Sequence, residues 1–441
     1  MADGPSNPTT TLAPARPDPA AGAPASGAEP QASRPQPVGA FPLPAGYLLV
    51  PAGPDTEPAR RALLAGQVPD PWPPRLRAHE LAMADNRDGA LAALSGDDVV
   101  TRFNRFVLDP DALDDDAVAG LRSELGGLAP LVDVVSFVLG RRDIPPASDP
   151  GGAGEVAALV LSAQAAHAVS AGEQDVATRL LEESATAAEQ APVLAGLMLG
   201  AAASVGQDAG EPAEQTIDRL QRALRALDGA DGLRAGRAEL HLALGGAFHA
   251  RAQAEERPDL LAEAIPHYHS TLQLVLSTES PELWASAHAD LAAAYLTMPM
   301  TEASDQLRLG VAVQSLRNAL KIFTPQSHPQ RWASTQLNLA NSLVYTPSTH
   351  QADNLVEAVE IYDAVLEVRN RESDPIGRAR VLANQGNVLA HLGMFAPAKA
   401  ALYEARFIFE EFDDQESVRS VRGVLDEVAR QQTLIKSEEQ G

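Results

Sequence analysis

The feature that most constrains this chain is an internal repeat in its C-terminal half. Residues 281–286 and 329–334 share Pro, Trp, Ala and Ser at the same places, 48 positions apart, and a third copy begins 46 positions later at Pro375. Apolar residues recur within each copy at the spacing of one helical face, which predicts a pair of helices per copy. Because a single pair cannot bury its apolar face alone, the copies are expected to stack on one another.

The second helix of each pair carries a repeated pattern of its own. A small residue is followed by a large one four positions later and by a smaller one seven positions later, and these offsets lie on one helical face. The four sets are Ala264, Tyr268 and Thr271; Ala312, Leu316 and Ala319; Ala358, Tyr362 and Val365; and Ala398, Leu402 and Ala405. The pattern predicts that small side chains on one helix let large side chains of its neighbour approach closely.

This spacing resembles the tetratricopeptide repeat (TPR), whose 34-residue unit has a Leu-Gly pair on its first helix and an Ala-x3-aromatic pattern on its second. The last unit fits best, since Gly386 and Ala398 keep the family's 12-residue interval. Upstream units match at Leu244, Gly245 and Phe248, at Leu291, Ala292 and Tyr295, and at Leu339, Ala340 and Leu343. These units are longer, and so resemble bacterial repeat arrays in signalling and scaffold proteins. In the last unit Gln385 stands where Leu is usual.

The chain is therefore predicted to be all-α, with a TPR-like α-solenoid of about five to six helical hairpins over residues 151–432. The resemblance is strong over residues 233–432 and weaker over 155–227. Residues 1–38 are rich in Pro and Ala without apolar periodicity, and we expect a disordered tail there. Residues 39–150 match no family we recognise and are expected to be mostly helical, while residues 433–441 are expected to be a flexible C-terminus.

Within residues 39–150, helix-like patterns occupy residues 76–94 and 114–125, and residues 131–139 are an apolar run that fits a buried helix or strand. An acidic run from Asp109 to Asp116 lacks the Gly and terminal Glu of a calcium loop, and is expected to be a solvated helix start. Residues 145–152, rich in Pro and Gly, are interpreted as a linker.

Composition excludes several classes of function. The formal net charge is -25, which disfavours binding to nucleic acid or to an anionic membrane surface. The chain has no cysteine, no signal-peptide pattern and no long uninterrupted apolar run, so a cytoplasmic protein is expected. The common phosphate-binding, dinucleotide-binding, zinc-protease and hydrolase motifs are also missing, and we expect no catalytic residue and no cofactor.

Histidine and tryptophan residues in the repeats have both a functional and a structural interpretation. His267 and His269 invite a metal site, but helical residues two apart do not face each other, so no metal is expected. Trp284 and Trp332 are interpreted as wedges in the core between repeats, with partner binding as the alternative.

The TPR resemblance implies that the first helices line a concave groove that binds a peptide or a helix of another protein. Asparagine side chains offer both a donor and an acceptor to a bound backbone, which suits such binding. Asn341 and Asn387 match the position at which carboxylate-clamp members of the family hold a peptide terminus. The clamp's lysine is replaced by Leu337 and Ala383, and Arg380 is expected to supply the missing charge. The candidate groove residues are Asn338, Asn341, Tyr345, Arg380, Asn384, Asn387 and His391.

Two interpretations of the asparagines stay open, because asparagine also caps turns and bridges neighbouring helices inside a solenoid. The function expected from the sequence is a non-catalytic adaptor or scaffold, in one version an assembly or maturation factor for a cytoplasmic enzyme. One alternative is an enzyme with its site in residues 39–150, lined by Asp97, Asp98, Arg102 or Arg105. The other is a self-assembling structural protein that forms a homo-oligomer.

Overall fold

The computed structural model describes residues 35–37, 39–42, 44–148, 151–299, 305–345 and 350–438. Two short strands, β1 (Gln36–Pro37) and β2 (Leu49–Val50), pair antiparallel at the start of this part of the chain. The short helices that follow are α1 (Glu57–Leu64), α2 (Arg77–Met83), α3 (Arg87–Ala93), α4 (Val99–Leu108), α5 (Asp115–Leu125) and α6 (Ala129–Val138).

Longer helices make up the rest of the described chain. They are α7 (Glu155–Ser170), α8 (Gln174–Ala187), α9 (Pro192–Asp208), α10 (Ala213–Ala226), α11 (Arg234–Ala254), α12 (Leu261–Leu274), α13 (Pro281–Thr297), α14 (Asp305–Ala319), α15 (Pro329–Tyr345), α16 (Gln351–Val368), α17 (Pro375–His391), α18 (Phe395–Glu411) and α19 (Gln415–Glu438). From α7 to α18 they pack as consecutive hairpins, two helices to each hairpin, and α19 packs on the last hairpin. In the described residues this makes six hairpins and a final helix, and the predicted TPR-like solenoid is confirmed.

The first helices of successive hairpins contact one another from α11 through α13, α15 and α17 to α19. We call the surface formed by these five helices the groove. The second helices, α12, α14, α16 and α18, lie behind it. Every candidate site residue predicted from the sequence belongs to α15 or α17, so all of them lie on helices of the groove.

Close approach between the two helices of a hairpin explains the small residues of the repeat. A Cβ atom added at Gly245 would lie 2.6 Å from the Tyr268 ring, and one added at Gly386 would lie 2.6 Å from Leu402. Tyr268, Leu316, Tyr362 and Leu402 are each at most 1% exposed. The predicted packing of large residues against small ones is therefore what joins the two helices of each hairpin.

The tryptophans lie where the core-wedge interpretation put them. Trp332 is buried in the hydrophobic cluster that spans α13 to α17, and Trp284 packs against the same cluster. The Trp284 ring also lies 4.3 Å from the ring of His288 on its own helix, in an edge-on arrangement. Gln385 is buried as well, and its Nε2 donates a hydrogen bond to Asp363 Oδ1 at 2.6 Å, so a polar contact to α16 stands where the family has leucine.

The N-terminal region packs directly on the solenoid. Phe41 and Leu63 share one hydrophobic cluster with Leu233 of the repeat region, and Phe103 shares another with Leu194. The backbone N–H of Gly232 also donates to the carbonyl of Gly66 at 2.9 Å. The segment interpreted as a linker therefore does not separate two independent cores.

The helix predicted over residues 76–94 is divided into α2 and α3, and the single-helix prediction was wrong. Asp85 has φ of 57°, in the left-handed region that ends a helix, and the Asn86 side chain accepts a hydrogen bond from the Gly89 N–H to start the next one. The start of α5 is as predicted, because Asp114 Oδ1 accepts from the Ala117 N–H at 2.8 Å. The apolar run at 131–139 is resolved in favour of a helix, α6.

The two ends of the chain are described only in part. Most of the predicted tail, residues 1–34, lies outside the described residues, but Gln36 pairs with Val50 and its side chain accepts a hydrogen bond from Arg60. At the other end α19 continues to Glu438, and so includes part of the segment predicted to be flexible from residue 433. No glycine or proline stands between Val424 and Glu438 to end the helix. Among the described helices, none combines the length and apolar character needed to cross a bilayer.

Candidate peptide-binding groove

Asn341 and Asn384, two of the four asparagines predicted to line the groove, bond to each other. The Nδ2 of Asn384 on α17 donates to the Oδ1 of Asn341 on α15 at 3.0 Å. The hydroxyl of Tyr362 on α16 donates to the same oxygen at 2.7 Å. Both acceptor sites of that oxygen are thus occupied within the solenoid, and the bridging interpretation holds for these two asparagines.

Asn338 and Asn387 are in a different situation. Each is partly exposed, and neither side chain has a hydrogen-bond partner among the described residues. At the spacing of the repeat, Asn338 occupies the position of Asn384. Ala293 stands at the place of Asn341, the acceptor of Asn384, and Leu316 at the place of Tyr362, the other donor to that acceptor. Asn338 therefore lacks the acceptor that Asn384 has, and its amide keeps its hydrogen-bonding capacity for a ligand.

Asn387 lines a recess between α17 and α19. The recess has a volume of about 250 Å³ and is lined by Asn387, Ala390, His391, Ser420, Gly423, Val424, Glu427, Val428 and Gln431. Asn387 and His391 come from one face of α17, and Glu427 faces them from α19. The structure thus brings two of the predicted site residues together beside small side chains.

Arg380 and Tyr345 lie near the two ends of the predicted site. Arg380 is exposed and makes no ion pair among the described residues. Hydrogen bonds from Ser417 lower the pKa of Asp414 at the start of α19, and the charge of Arg380 adds to this effect. Tyr345 is 72% exposed at the end of α15. Neither side chain reaches the recess around Asn387.

Asp290 is a groove residue that the sequence analysis missed. It lies on α13, 48 positions before Asn338, so it occupies the same place in its repeat. Burial raises the pKa of this partly buried carboxyl to about 6, and the nearby charge of Arg331 opposes the rise. The repeat spacing contained the signal, because Asp290, Asn338 and Asn384 form one polar series along three successive first helices.

A second recess lies between α9 and α11, beside the α11 end of the groove. Its volume is about 380 Å³, and small or apolar side chains dominate its lining. The residues are Leu197, Gly200, Ala201, Ala203, Ser204, Gln207, Leu220, Gly236, Glu239, Leu240 and Ala243. Glu239 is its one charged side chain, so this recess suits apolar chain better than a charged ligand.

The histidines considered for a metal site point toward different neighbours, as expected. His267 Nδ1 lies 3.0 Å from His241 Nδ1, and His269 Nε2 lies 3.1 Å from the Tyr295 hydroxyl. Burial, and to a smaller degree the charge of the other ring, lowers the pKa of His241 to about 4. In the described part of the chain, no three His, Asp or Glu side chains are placed to hold one metal ion.

The outer face of α18 carries exposed aromatic side chains. Tyr403 and Phe407 are about half exposed, as is Phe412 just after the helix. The Arg371 guanidinium lies 5.0 Å from the Phe407 ring centre, and that of Arg406 lies 5.2 Å from the Tyr403 ring centre. This surface belongs to a second helix, outside the five helices that form the groove.

Comparison with known proteins gives likeness in fold only. No protein family profile matches the chain, and no curated protein sequence matches it. Among solved structures, the apo form of RapI has a TM-score of 0.43 at 13% identity, covering 82% of this chain and 97% of that one. A Rap protein complexed with competence and sporulation factor has a TM-score of 0.37 at 13% identity, with coverage of 81% and 97%.

A third solved structure is the TPR2AB domain of yeast Sti1 in a pHSP90 complex, with a TM-score of 0.25 at 16% identity and coverage of 63% and 100%. All three TM-scores are below 0.5, so neither the function nor the binding site of this chain is inferred from these proteins. The hairpins, the contacts between first helices and the repeat spacing are features of this chain itself. By these features its fold is a TPR-like helical repeat.

Proposed function

We propose that this protein is a non-catalytic adaptor whose groove binds a segment of a partner protein, extended or helical. The observation that carries the proposal is the pair of amides at Asn338 and Asn387, partly buried and without partners among the described residues. An asparagine amide can pair with both the N–H and the C=O of a bound backbone, and these two amides are not already bonded to other described side chains. Asn341 on α15 and Asn384 on α17 bond to each other instead and hold these two helices together.

The electrostatics of the groove support a peptide over a highly charged ligand. The chain has a net charge of -25, yet small, apolar and uncharged side chains dominate the lining of the two recesses. The titratable side chains of those recesses are Glu239, His391 and Glu427. Asp290, with Arg331 acting on it, and Arg380 lie elsewhere on the helices of the groove. Such a surface suits main-chain recognition, with a limited number of side-chain contacts to add specificity.

In its more specific form, the proposal is that the adaptor is an assembly or maturation factor for a cytoplasmic enzyme. The apolar recess beside the α11 end of the groove and the overall negative charge suit a client segment that is apolar or basic and not yet packed in its own protein. The protein would act by holding this segment, with no bond made or broken.

Site-specific cross-linking in the native cell tests this proposal. A photoreactive amino acid at Ala390 would face the recess, and the same amino acid at exposed Glu360 on α16 is the control position. We expect one defined cross-linked protein from Ala390 that is lost when Asn338→Ala and Asn387→Ala are both present. The same protein cross-linked equally from Glu360, or no loss in the double variant, would refute a groove-bound partner.

The enzyme alternative is not favoured by the residues on which it depended. Asp98 caps α4 through hydrogen bonds from Val100 and Thr101, Arg102 pairs with Glu124, and Arg105 donates to the carbonyls of Leu94 and Gly96. These three of the four candidate side chains, Asp97 being the fourth, hold helix ends and neighbouring helices, so their contacts add no support to the enzyme alternative.

Self-association is a second candidate function, favoured by the exposed aromatic face of α18. Tyrosine, phenylalanine and arginine are enriched in protein interfaces. Light scattering of the full chain tests it: if α18 is a dimer interface, Phe407→Glu should convert a dimer to a monomer. A wild-type chain that is monomeric at all concentrations would reject this candidate without affecting the groove.

A further inference from the structure

The junction between α11 and α13 lacks a polar group that the junction between α15 and α17 has. In the later junction, the side chain of Asn341 accepts hydrogen bonds from Tyr362 and Asn384. The residues at the same places in the earlier junction are Gly246, Tyr268 and Asp290. Because glycine has no side chain, the earlier junction has no acceptor at the place of Asn341. The hydroxyl of Tyr268 therefore has no such group to donate to, and the carboxyl of Asp290 has no amide beside it.

The space over Gly246 is open. A Cβ atom added there would meet no atom within 4 Å, whereas one added at the preceding Gly245 would lie 2.6 Å from the Tyr268 ring. At the spacing of the repeat, Asp290 on α13 occupies the place of Asn384, which shares one acceptor with Tyr362 in the later junction, and α13 contacts α11. The charge of Asp290 also adds to the rise in the pKa of Tyr268 that burial causes. We call this space, bordered by Gly246, Tyr268 and Asp290, the slot.

Asp290 has no hydrogen bond and no ion pair within the described part of the chain, although it is partly buried and its pKa is raised by burial. Arg331 is the cation that acts on it, but that guanidinium donates to Ser286 Oγ and lies 5.4 Å from the centre of the Phe323 ring. A cation that reached this partly shielded carboxylate from the groove would be held by charge-assisted hydrogen bonds.

We propose that the slot receives a lysine or arginine side chain from the partner segment, and that Asp290 accepts its charged hydrogen bonds. This inference rests on the proposed function, because the segment must already lie in the groove. The long aliphatic stem of either side chain would pass over Gly246, where a larger residue would block it. A basic residue in the segment would also be drawn toward a protein of strongly negative net charge.

Two variants change the slot in different ways. Asp290→Asn removes the charge with little change in shape. Gly246→Asn supplies the amide that Asn341 supplies in the later junction, and so fills the slot. Asparagine has a higher helix propensity than glycine and the space is open, so this variant should be at least as stable as the wild type. Glu360→Gln on α16 removes a charge of the same sign outside the groove and is the control.

The test is a selection of displayed random peptides on the full-length chain, with affinities then measured by fluorescence anisotropy. Peptides are first sorted by whether Asn338→Ala with Asn387→Ala abolishes their binding. We expect those that depend on the groove to share a Lys or Arg at one position. Their affinity should fall about tenfold or more with Asp290→Asn or Gly246→Asn, and stay unchanged with Glu360→Gln. In the Asp290→Asn variant, replacing the peptide's basic residue by norleucine should cause no further loss of affinity.

Groove-dependent peptides without a fixed basic position, or with equal affinity for wild type and Asp290→Asn, would overturn the slot while leaving the adaptor proposal in place. The slot is likewise overturned if norleucine weakens binding to wild type and Asp290→Asn equally, because the basic residue then binds elsewhere. If no selected peptide depends on Asn338 and Asn387, both the slot and the proposed function are overturned.

Discussion

Asn341 and Asn387 occupy the same position in successive repeats, and the structure gives them different roles. Asn341→Ala removes the acceptor of two hydrogen bonds, one of them from the hydroxyl of Tyr362, which is 1% exposed. A buried donor left without a partner costs about 1 to 3 kcal/mol, and loss of the second bond, to a partly exposed amide, adds about 0.5 to 1.5 kcal/mol. Asn387→Ala removes no side-chain hydrogen bond among the described residues and should change the free energy of unfolding by less than about 0.5 kcal/mol.

The assay is urea unfolding followed by far-ultraviolet circular dichroism. Both variants replace asparagine by alanine in a helix, so the change in helix propensity cancels when the two are compared. We expect Asn341→Ala to be less stable than Asn387→Ala by about 2 to 4 kcal/mol. Tyr362→Phe should lose most of its own effect in the Asn341→Ala background. Equal stabilities for the two alanine variants, or additive effects with Tyr362→Phe, would refute the assignment of Asn341 as a structural bridge.

Three further predictions concern stability. Gly245→Ala should destabilise the chain by about 1 to 3 kcal/mol, because its Cβ would lie 2.6 Å from the buried ring of Tyr268. Gly246→Ala, where the space is open, should stabilise it by up to about 1 kcal/mol. Equal urea midpoints for the two variants would contradict this. Burial lowers the pKa of His79 to about 4 from 6.5. The neutral imidazole therefore contributes on the order of 3 kcal/mol to the free energy of unfolding above pH 6.5, and this contribution is lost as the pH falls toward 4. His79→Gln should flatten that part of the stability curve, and an unchanged slope would show that His79 does not cause it. Trp332→Ala should cost about 3 to 5 kcal/mol in the same assay, and a loss below about 1 kcal/mol would place its ring outside the core.

The sequence predicted the hairpins and their packing because both depend on local periodicity. Gly386 on α17 lies directly opposite Leu402 on α18. The small and large residues of each second helix recur at the spacing of one helical face. The break between α2 and α3 was missed, since the left-handed backbone at Asp85 has no signal as strong as a glycine. The shared core of residues 39–150 with the solenoid was also beyond reach, because contacts such as Phe41 with Leu233 depend on how the chain folds back.

The groove residues were predicted only in part, for a related reason. Repeat spacing identified Asn338, Asn341, Asn384 and Asn387 as equivalent positions, but not which of them bond to one another. That depends on the neighbour across the junction, which is Asn341 opposite Asn384 and alanine opposite Asn338. Asp290 was missed because it is a carboxylate in a series of amides, although its spacing from Asn338 is that of the repeat.

The most direct test of the central claim is amide hydrogen exchange of the full chain, with and without the partner identified by cross-linking at Ala390. The adaptor account predicts slower exchange on α13, α15 and α17 in the complex, with little change on α16 and α18. Slower exchange confined to α18, or to residues 39–150, would contradict the claim that the groove holds the partner.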